Sequence, residues 1–319
     1  VRASEFLPQL REKIEVGGGN LKQIIIHNSN LKLGITIMAF GFLKKMFFAD
    51  NIAPLVDNIF SNPIGMDSFT IILGSIGFGI QIYGDFSGYS DIAIGAALIL
   101  GFKLPINFNK PYFATSPADF WRRWHISLSS WLRDYLYIPL GGNKKSDVRT
   151  YANLAIVMFL GGLWHGASWN FVVWGMLHGA YLAIHKIICN KFPQISNNIF
   201  FKSKIGKIVS ILITQYLIFL AWIAFRVRDT DDMLYSMGKY IFIDFQTTTI
   251  KEVINSNEIA VILIILFIIL NLILYRHRNM SIKISQMPLW KWFFFILTIT
   301  LLIFLTFAGH TDDFIYFQF

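Results

Sequence analysis

Apolar runs separated by short charged loops dominate this sequence and restrict the chain to a membrane fold. Hydrophobic residues make up 55% of the 319 residues and charged residues only 15%, against about 25% in soluble domains. A membrane crossing needs roughly 20 apolar residues. The pattern therefore predicts an all-α, polytopic membrane protein. The runs lie at residues 31–48, 69–83, 92–102, 152–164, 169–188, 208–225, 259–275 and 292–308.

The distribution of Lys and Arg predicts which loops face the cytoplasm. Loops 186–207 and 276–291 contain basic residues and no acidic ones, whereas loop 226–258 is rich in Asp and Glu. Because basic loops stay on the cytoplasmic side, we expect the first two loops to be cytoplasmic and the third to be external. The same rule predicts a cytoplasmic segment 103–150 and an external C-terminus. A net charge of +9 spread over such loops does not indicate nucleic-acid binding.

The stretch 83–91 interrupts the apolar residues between 69 and 102. It contains the carboxylates of Asp85 and Asp91 and the glycines Gly84 and Gly88. The charges of the flanking loops require a single crossing here, so we predict one crossing that is broken at this stretch. Exposed backbone and charge within lipid need cover from protein or water. The break favours a functional cavity over a plain loop, with Asp85 in its lining.

Residues 117–138 have the pattern of an amphipathic helix on the cytoplasmic side or re-entrant into the membrane. Ser116 fits an N-cap and Pro117 the first helical position. We predict one helix of about five turns that ends at Pro139-Leu140-Gly141-Gly142. Such helices usually lie among lipid headgroups. Its apolar face carries Phe120, Trp124, Leu128, Trp131 and Tyr135, and another face carries Arg122, Ser129 and Arg133.

His165 is an ionisable residue in the apolar tract 159–167, between Gly162 and Gly166. An ionisable ring at that depth is costly, so His165 is a candidate functional residue. The alternative is a buried histidine that is hydrogen-bonded to a neighbouring helix. Runs 152–164 and 169–188 predict a helical hairpin whose tip, at 165–168, points to the external side.

The other histidines are weaker candidates. His125 lies next to the apolar face of the predicted helix. We hypothesise that His125 and His165 approach a shared cavity from opposite sides of the bilayer. His178 is expected to face the bundle interior. His178 and His185 are about 10 Å apart along a helix, too far to bind one metal. The single cysteine, Cys189, excludes an intrachain disulfide, and we predict no metal site. Interfacial roles are expected for His27, His277 and His310.

Five strings of the sequence form a recognisable set: Phe120–Ser129, Trp131–Gly142, the histidine motif Gly162–Ala167, Gly84–Asp91 and the ending Phe314–Phe319. Together they resemble the membrane-bound O-acyltransferase (MBOAT) family, in particular its bacterial alginate and peptidoglycan O-acetyltransferase branch. The resemblance implies one MBOAT domain over residues 1–319, with helices around a transmembrane funnel. The start, 1–7, resembles an internal stretch of such proteins, so we expect further helices before it.

The resemblance implies that His165 is the active-site histidine and that His125 is its partner on the cytoplasmic side. It implies transfer of an acyl group, expected to be acetyl, from a cytoplasmic thioester such as acetyl-CoA, with no bound cofactor. The expected acceptor is a hydroxyl of an extracytoplasmic polysaccharide or of a partner acetyltransferase outside the bacterial cytoplasmic membrane. Candidates for lining the substrate tunnel are Trp164, Asp85, Arg122, Arg123, Arg133 and His178. The arginines are equally compatible with donor phosphates and with lipid headgroups.

Other functions remain open at this point. A sister branch of the family transfers D-alanine from a carrier protein to teichoic acid, although the tail 314–319 favours the acetyl branch. A transporter would use 83–91 to bind its substrate and His165 to relay protons. Inverted repeats would favour a transporter, and the sequence has none that we can identify. A structural scaffold has no need of buried histidines.

Overall fold

The computed structural model describes residues 2–16, 28–196, 198–244, 247–276 and 279–306. All regular elements among these residues are helical, which confirms the all-α prediction. The tail 314–319 and His27, His277 and His310 lie outside the described residues. The helices are α1 (Ala3–Val16), α2 (Asn28–Phe42), α3 (Asp50–Phe60), α4 (Ser68–Ile99), α5 (Pro117–Trp121), α6 (Ile126–Leu132), α7 (Asp147–His165), α8 (Trp169–Lys191), α9 (Pro193–Ser196), α10 (Ile199–Lys202), α11 (Lys204–Arg226), α12 (Thr230–Ile241), α13 (Thr247–Ser256), α14 (Glu258–Arg276), α15 (Met280–Ser285) and α16 (Leu289–Thr306).

Five of the described helices are long and apolar enough to cross a membrane: α4, α8, α11, α14 and α16. They account for most of the predicted runs and support a polytopic fold. The runs 31–48 and 152–164 correspond to α2 with the π-helical turn Leu43–Ala49, and to α7. Contacts divide the chain into two compact units. The first takes its described residues from 2–54, 80–106 and 259–306, and the second from 55–79 and 107–258.

The predicted break at 83–91 is wrong, because α4 runs without interruption through it. In the first unit its glycines serve close helix packing. A Cβ at Gly88 would lie 2.7 Å from the carbonyl oxygen of Gly41 on α2, and one at Gly84 would lie 2.9 Å from that of Lys44. The acidic residues are paired rather than solvated: Asp91 lies 2.5 Å from Lys44 Nζ. The two runs thus form one continuous helix and one candidate span, without a loop.

The second unit is built around the predicted hairpin, which is confirmed. Helices α7 and α8 pack backbone to backbone, since a Cβ at Gly175 would lie 2.5 Å from the carbonyl oxygen of Met158. A Cβ at Gly179 would lie 3.1 Å from the Cα of Ala155, so the two helices are close at this point as well. The chain reverses at Gly166, whose φ of 156° and ψ of 154° are conformations that other residues rarely adopt.

The prediction of one five-turn helix over 117–138 is wrong. The structure has two short helices there, because α5 ends at Trp121 and α6 begins after His125. Ser116 does cap α5, with its hydroxyl accepting a hydrogen bond from the Asp119 N–H at 3.1 Å. After α5 the chain turns, and α6 continues into the π-helical turn Arg133–Tyr137. The apolar face is buried only in its first half: Phe120 and Trp124 are buried, whereas Trp131 and Tyr135 are exposed.

Helix α11 packs against both α8 and α12 and completes the surroundings of the hairpin. The side-chain amide of Asn170, in the first turn of α8, donates a hydrogen bond to the carbonyl oxygen of Phe225 at 3.3 Å. This contact joins the end of α11 to the start of α8. The tip of the hairpin is therefore held beside the aromatic residues at the end of α11.

Candidate active site

His125 is the N-cap residue of α6 and has a left-handed backbone, with φ of 42° and ψ of 56°. For a residue with a Cβ this conformation costs roughly 1–2 kcal/mol. Strain of this kind is concentrated at functional sites, where surrounding contacts hold it in place. The side chain of His125 is buried. The left-handed turn therefore lies at a buried imidazole between α5 and α6.

Asn107 stabilises this turn from a preceding part of the chain. Its carbonyl oxygen accepts a hydrogen bond from the Ile126 N–H at 3.0 Å, and its side-chain oxygen accepts one from the Ser127 N–H at 3.2 Å. These two N–H groups belong to the first turn of α6, where no helical partner exists. Asn107 therefore caps the start of α6, where the His125 side chain makes no capping hydrogen bond.

His165 is the last residue of α7, immediately before the reversal at Gly166. Its ring is surrounded by aromatic side chains from α7, α8 and α11. The centroid distances are 5.0 Å to Trp164, 5.9 Å to Phe171, 5.2 Å to Trp174 and 5.0 Å to Phe225. An imidazole in such surroundings is held in one position and partly shielded from water.

The structure brings His125 and His165 together, although 39 residues separate them in the sequence. Trp164 contacts both rings, at 6.5 Å from His125 and 5.0 Å from His165. Burial lowers the pKa of His125, and the nearby imidazole of His165 lowers it further. His125 is therefore neutral at physiological pH. The hypothesis of a shared site is consistent with this arrangement.

A cavity of about 520 Å³ lies between the 117–137 segment and the hairpin. On its α7 side it is lined by Leu154, Val157 and Met158. Met158 precedes His165 by seven residues, about 10 Å along the helix. The polar part of the lining consists of Arg122, Ser129, Arg133, His185, Lys186, Cys189 and Asn190. The predicted polar face of Arg122, Ser129 and Arg133 thus faces one cavity with a basic rim.

The three candidate arginines differ in their surroundings. Arg123 is only partly exposed, and its Nε lies 3.0 Å from Asp119 Oδ2. Burial would raise the pKa of Asp119, but the hydrogen bonds from Arg123 and from the Thr115 N–H lower it overall. Arg122 and Arg133 are largely exposed at the cavity rim. Arg123 therefore anchors the start of α5, whereas Arg122 and Arg133 are accessible to a ligand.

The remaining candidates fall at different places. Trp164 is largely exposed between the two histidine rings. His178 is fully buried on α8, and its Nδ1 accepts a hydrogen bond from Trp121 Nε1 at 3.2 Å. Asp85 lies in the first unit, where it pairs with Lys45. Only the first two of these residues belong to the aromatic surroundings of His165 and His125.

Sequence reasoning did not single out Lys186 or Cys189 as site residues, nor Asn107 and Trp174. Lys186 and Cys189 share a face of α8 with Leu182 and His185, which also line the cavity. That helical spacing is a signal that the sequence carries. Asn107 and Trp174 have no comparable signal, because their roles depend on contacts with distant segments.

Comparisons with known proteins identify the family of the chain. A family model described as MBOAT, membrane-bound O-acyltransferase family, matches residues 4–228. The chain is 40% identical over 234 residues to a peptidoglycan O-acetyltransferase of Helicobacter pylori. The matched stretch covers 73% of this chain and 42% of that protein. It is 43% identical over 227 residues to a probable alginate O-acetylase AlgI of Pseudomonas aeruginosa, which covers 70% of this chain and 41% of that protein.

A more partial similarity exists to a second class of transferase. A teichoic acid D-alanyltransferase of Streptococcus thermophilus is 37% identical over 128 residues, which covers 38% of this chain and 31% of that protein. The chain spans less than half the length of each of these relatives. The matched region includes both histidines and the cavity.

Proposed function

Because the chain belongs to the membrane-bound O-acyltransferase family, we propose that it carries the acyl-transfer site of a multi-pass membrane enzyme. The proposed reaction moves an acetyl group from acetyl-CoA on the cytoplasmic side to a hydroxyl on the external side. The observation that carries the proposal is the approach of His125 and His165 within one aromatic cluster, beside a cavity with a basic rim.

His165 acts as the general base in this proposal. One of its ring nitrogens takes the proton from the acceptor hydroxyl, whose oxygen forms a bond to the acyl carbon. The carbonyl π electrons move to the acyl oxygen and then return, and the carbon–sulfur bond breaks. The thiolate leaves with the bonding electrons and takes the proton from His165. General base catalysis contributes roughly 10²–10⁴-fold in rate.

His125 orients the thioester end of the donor. Its ring is buried and neutral, and its left-handed backbone is held by Asn107. A fixed neutral imidazole donates or accepts one hydrogen bond without the cost of desolvating a charge. Correct placement of the thioester matters because an activated acyl donor needs mainly orientation and charge stabilisation.

The cavity is the proposed entrance for the donor. Its rim is positively charged and therefore complements the negative CoA phosphates, through Arg122, Arg133 and Lys186. On its α7 side the lining reaches Met158, and the proposed path of the donor continues from there along α7 for about 10 Å to His165. An extended thioester arm along this path places its acyl group at the two histidines.

The acceptor side is proposed from the relatives and from the loop charges. Relatives are named for peptidoglycan and alginate acetylation, so we propose an extracytoplasmic polysaccharide hydroxyl, or a partner acetyltransferase, as acceptor. The proposed location is the bacterial cytoplasmic membrane with the C-terminus outside. D-alanyl transfer from a carrier protein is the second candidate, favoured only by the partial D-alanyltransferase similarity.

The test uses the full-length protein in membrane vesicles supplied with radiolabelled acetyl-CoA. Wild type is expected to transfer label to external polysaccharide or partner protein, and His165→Ala is expected to reduce that transfer at least about 100-fold. Detergent extraction and gel filtration show whether the variant still inserts and folds. A folded His165→Ala variant with wild-type transfer contradicts the proposal. Transfer from D-alanyl carrier protein but not from acetyl-CoA selects the second candidate.

A further inference from the structure

Two ring nitrogens on successive turns of α8, one of them on Trp174 beside His165, are buried without a partner among the described residues. Trp174 is 2% exposed and His178 is fully buried. The Nε1 atom of Trp174 and the Nε2 atom of His178 have no hydrogen-bond partner among the described residues. About 90% or more of buried polar groups in proteins are hydrogen-bonded. These two nitrogens, on adjacent turns of α8, are therefore available to a ligand with oxygen acceptors.

The hydrogen bond from Trp121 defines which nitrogen of His178 carries the proton. An indole Nε1–H only donates, so His178 Nδ1 must accept at the observed 3.2 Å. Full burial disfavours the charged imidazolium. The neutral ring therefore carries its proton on Nε2. Both unpartnered groups, on Trp174 and on His178, are consequently donors.

Trp174 lies beside the proposed base, and His178 lies beside Trp174, one turn further along α8. The Trp174 ring is 5.2 Å from the His165 ring and 4.8 Å from the His178 ring. Side chains of a helix lean toward its N-terminus. On α8 that direction leads to the hairpin tip, where His165 lies. The rings of Phe120 and Phe225 complete apolar surroundings, at 6.1 Å from His178 and 5.4 Å from Trp174.

We propose that the Nε1–H of Trp174 and the Nε2–H of His178 form an oxygen-binding subsite for the carbonyl oxygen of the acyl group. This inference rests on the proposed function and adds the group that stabilises its intermediate. When the acceptor oxygen attacks and His165 takes its proton, the carbonyl π electrons move to this oxygen. The two N–H groups donate to the resulting oxyanion. They release it when the carbonyl reforms and the thiolate leaves.

The subsite has the properties that make such stabilisation effective. Its donors are neutral, so no buried charge has to be maintained, and they are fixed by packing before the substrate arrives. Hydrogen bonds in surroundings from which water is excluded stabilise developing charge far more than they do in water. Trp174 is the residue of the pair in ring contact with His165, so it is expected to contribute most.

Trp222 provides a matched control. It is also buried, and its Nε1 also lacks a partner among the described residues. Its ring stacks on Trp174 at 6.4 Å, and its other contacts are Phe78, Phe120, Trp124 and Phe225. The change Trp222→Phe therefore removes the same chemical group from the same aromatic cluster, without removing a donor in contact with His165.

The experiment measures acetyl transfer from radiolabelled acetyl-CoA by the full-length protein carrying Trp174→Phe or Trp222→Phe. Trp174→Phe is expected to lower kcat about 100-fold or more, with the KM for acetyl-CoA unchanged. Trp222→Phe is expected to stay within a few-fold of wild type. Benzothienylalanine at position 174 keeps the shape of the indole and lacks the N–H. It is expected to reproduce the loss even if Trp174→Phe impairs folding.

His178 is tested with two substitutions of the same residue. His178→Gln keeps an oxygen that accepts the Trp121 hydrogen bond and an N–H group that donates, whereas His178→Phe keeps neither. His178→Phe is expected to have a kcat at least about 10-fold below that of His178→Gln. Equal kcat values exclude His178 from the subsite.

The outcomes separate this inference from the proposed function. Wild-type kcat in folded protein with benzothienylalanine at position 174 overturns the subsite, whereas loss of transfer in His165→Ala still supports the function. An equal fall in Trp222→Phe also overturns the subsite, because the effect would then be one of packing. If wild type transfers no label, the proposed function with acetyl-CoA fails and the subsite fails with it.

Discussion

Lys45 and Asp85 form a buried ion pair, with 2.7 Å between Nζ and Oδ1 and with side chains that are 8% and 1% exposed. Lys45 also lies 2.9 Å from Oδ1 of Asp50. One ammonium group thus serves two carboxylates in the first unit. The pair explains how Asp85 is accommodated in α4 without a break in the helix.

Lys45→Met is expected to destabilise the protein by about 3–5 kcal/mol, because it leaves a carboxylate buried without its cation. The free energy of unfolding in detergent measures this effect. Lys239→Met is the control, since the pair of Lys239 with Asp244 is partly exposed and exposed pairs contribute little to stability. Similar losses in the two variants contradict the role given to Lys45.

Gly175→Ala is expected to destabilise the hairpin by about 1–3 kcal/mol. The added methyl group would lie 2.5 Å from the carbonyl oxygen of Met158 and 3.2 Å from its carbon, so α7 and α8 must move apart. Acetyl transfer is expected to fall as well, because His165 ends α7. Gly238→Ala is the control, since nothing lies within 4 Å of its Cβ. A hairpin that tolerates Gly175→Ala as well as Gly238→Ala argues against close packing.

The stability of the protein is expected to depend on pH through His125, which lies outside the candidate spans. Burial and His165 hold its pKa below the value of about 6.5 in the unfolded chain. Above about pH 6.5 the His125 imidazole is neutral in both the folded and the unfolded chain, so protonation of this residue does not reduce the stability of the fold. As pH falls further, the unfolded state binds a proton that the folded state does not. Stability is therefore lost, by up to about 1.4 kcal/mol per pH unit.

His125→Asn removes this dependence and keeps a residue that tolerates the left-handed backbone. Unfolding free energies of wild type and variant between about pH 5 and 8 provide the measurement. The two curves are expected to run parallel above about pH 6.5 and to diverge below it, with wild type the steeper. Parallel curves over the whole range would falsify a lowered pKa for His125.

Lys186→Gln is expected to raise the KM for acetyl-CoA about 5-fold, equivalent to about 1 kcal/mol, with kcat unchanged. Lys186 lines the rim of the cavity but lies far from the acyl carbon in the proposed path. Lys191→Gln is the matched control, a loss of the same charge at the end of the same helix, outside the cavity lining. An equal change in KM for both variants would place donor binding elsewhere.

Local features of the sequence predicted several elements correctly. Ser116 and Pro117 mark the start of α5 because capping depends only on adjacent residues. The hairpin of α7 and α8 follows from two apolar runs joined by a short glycine-containing turn. The break at 83–91 was predicted wrongly, since the partners of its carboxylates, Lys44 and Lys45, lie between 40 and 47 residues away in the sequence.

The sequence by itself determined that the chain is a helical membrane protein, where its hairpin turns, and that His165 ends an apolar helix. These properties depend on composition and on short-range periodicity. Only the tertiary structure decided that His125 interrupts a helix beside His165, and that Trp121 assigns the proton of His178. Those relationships arise when distant segments pack together, as Asn107 does with α6 and α5 with α8. Periodicity along one segment carries no information about which polar groups of two segments will meet.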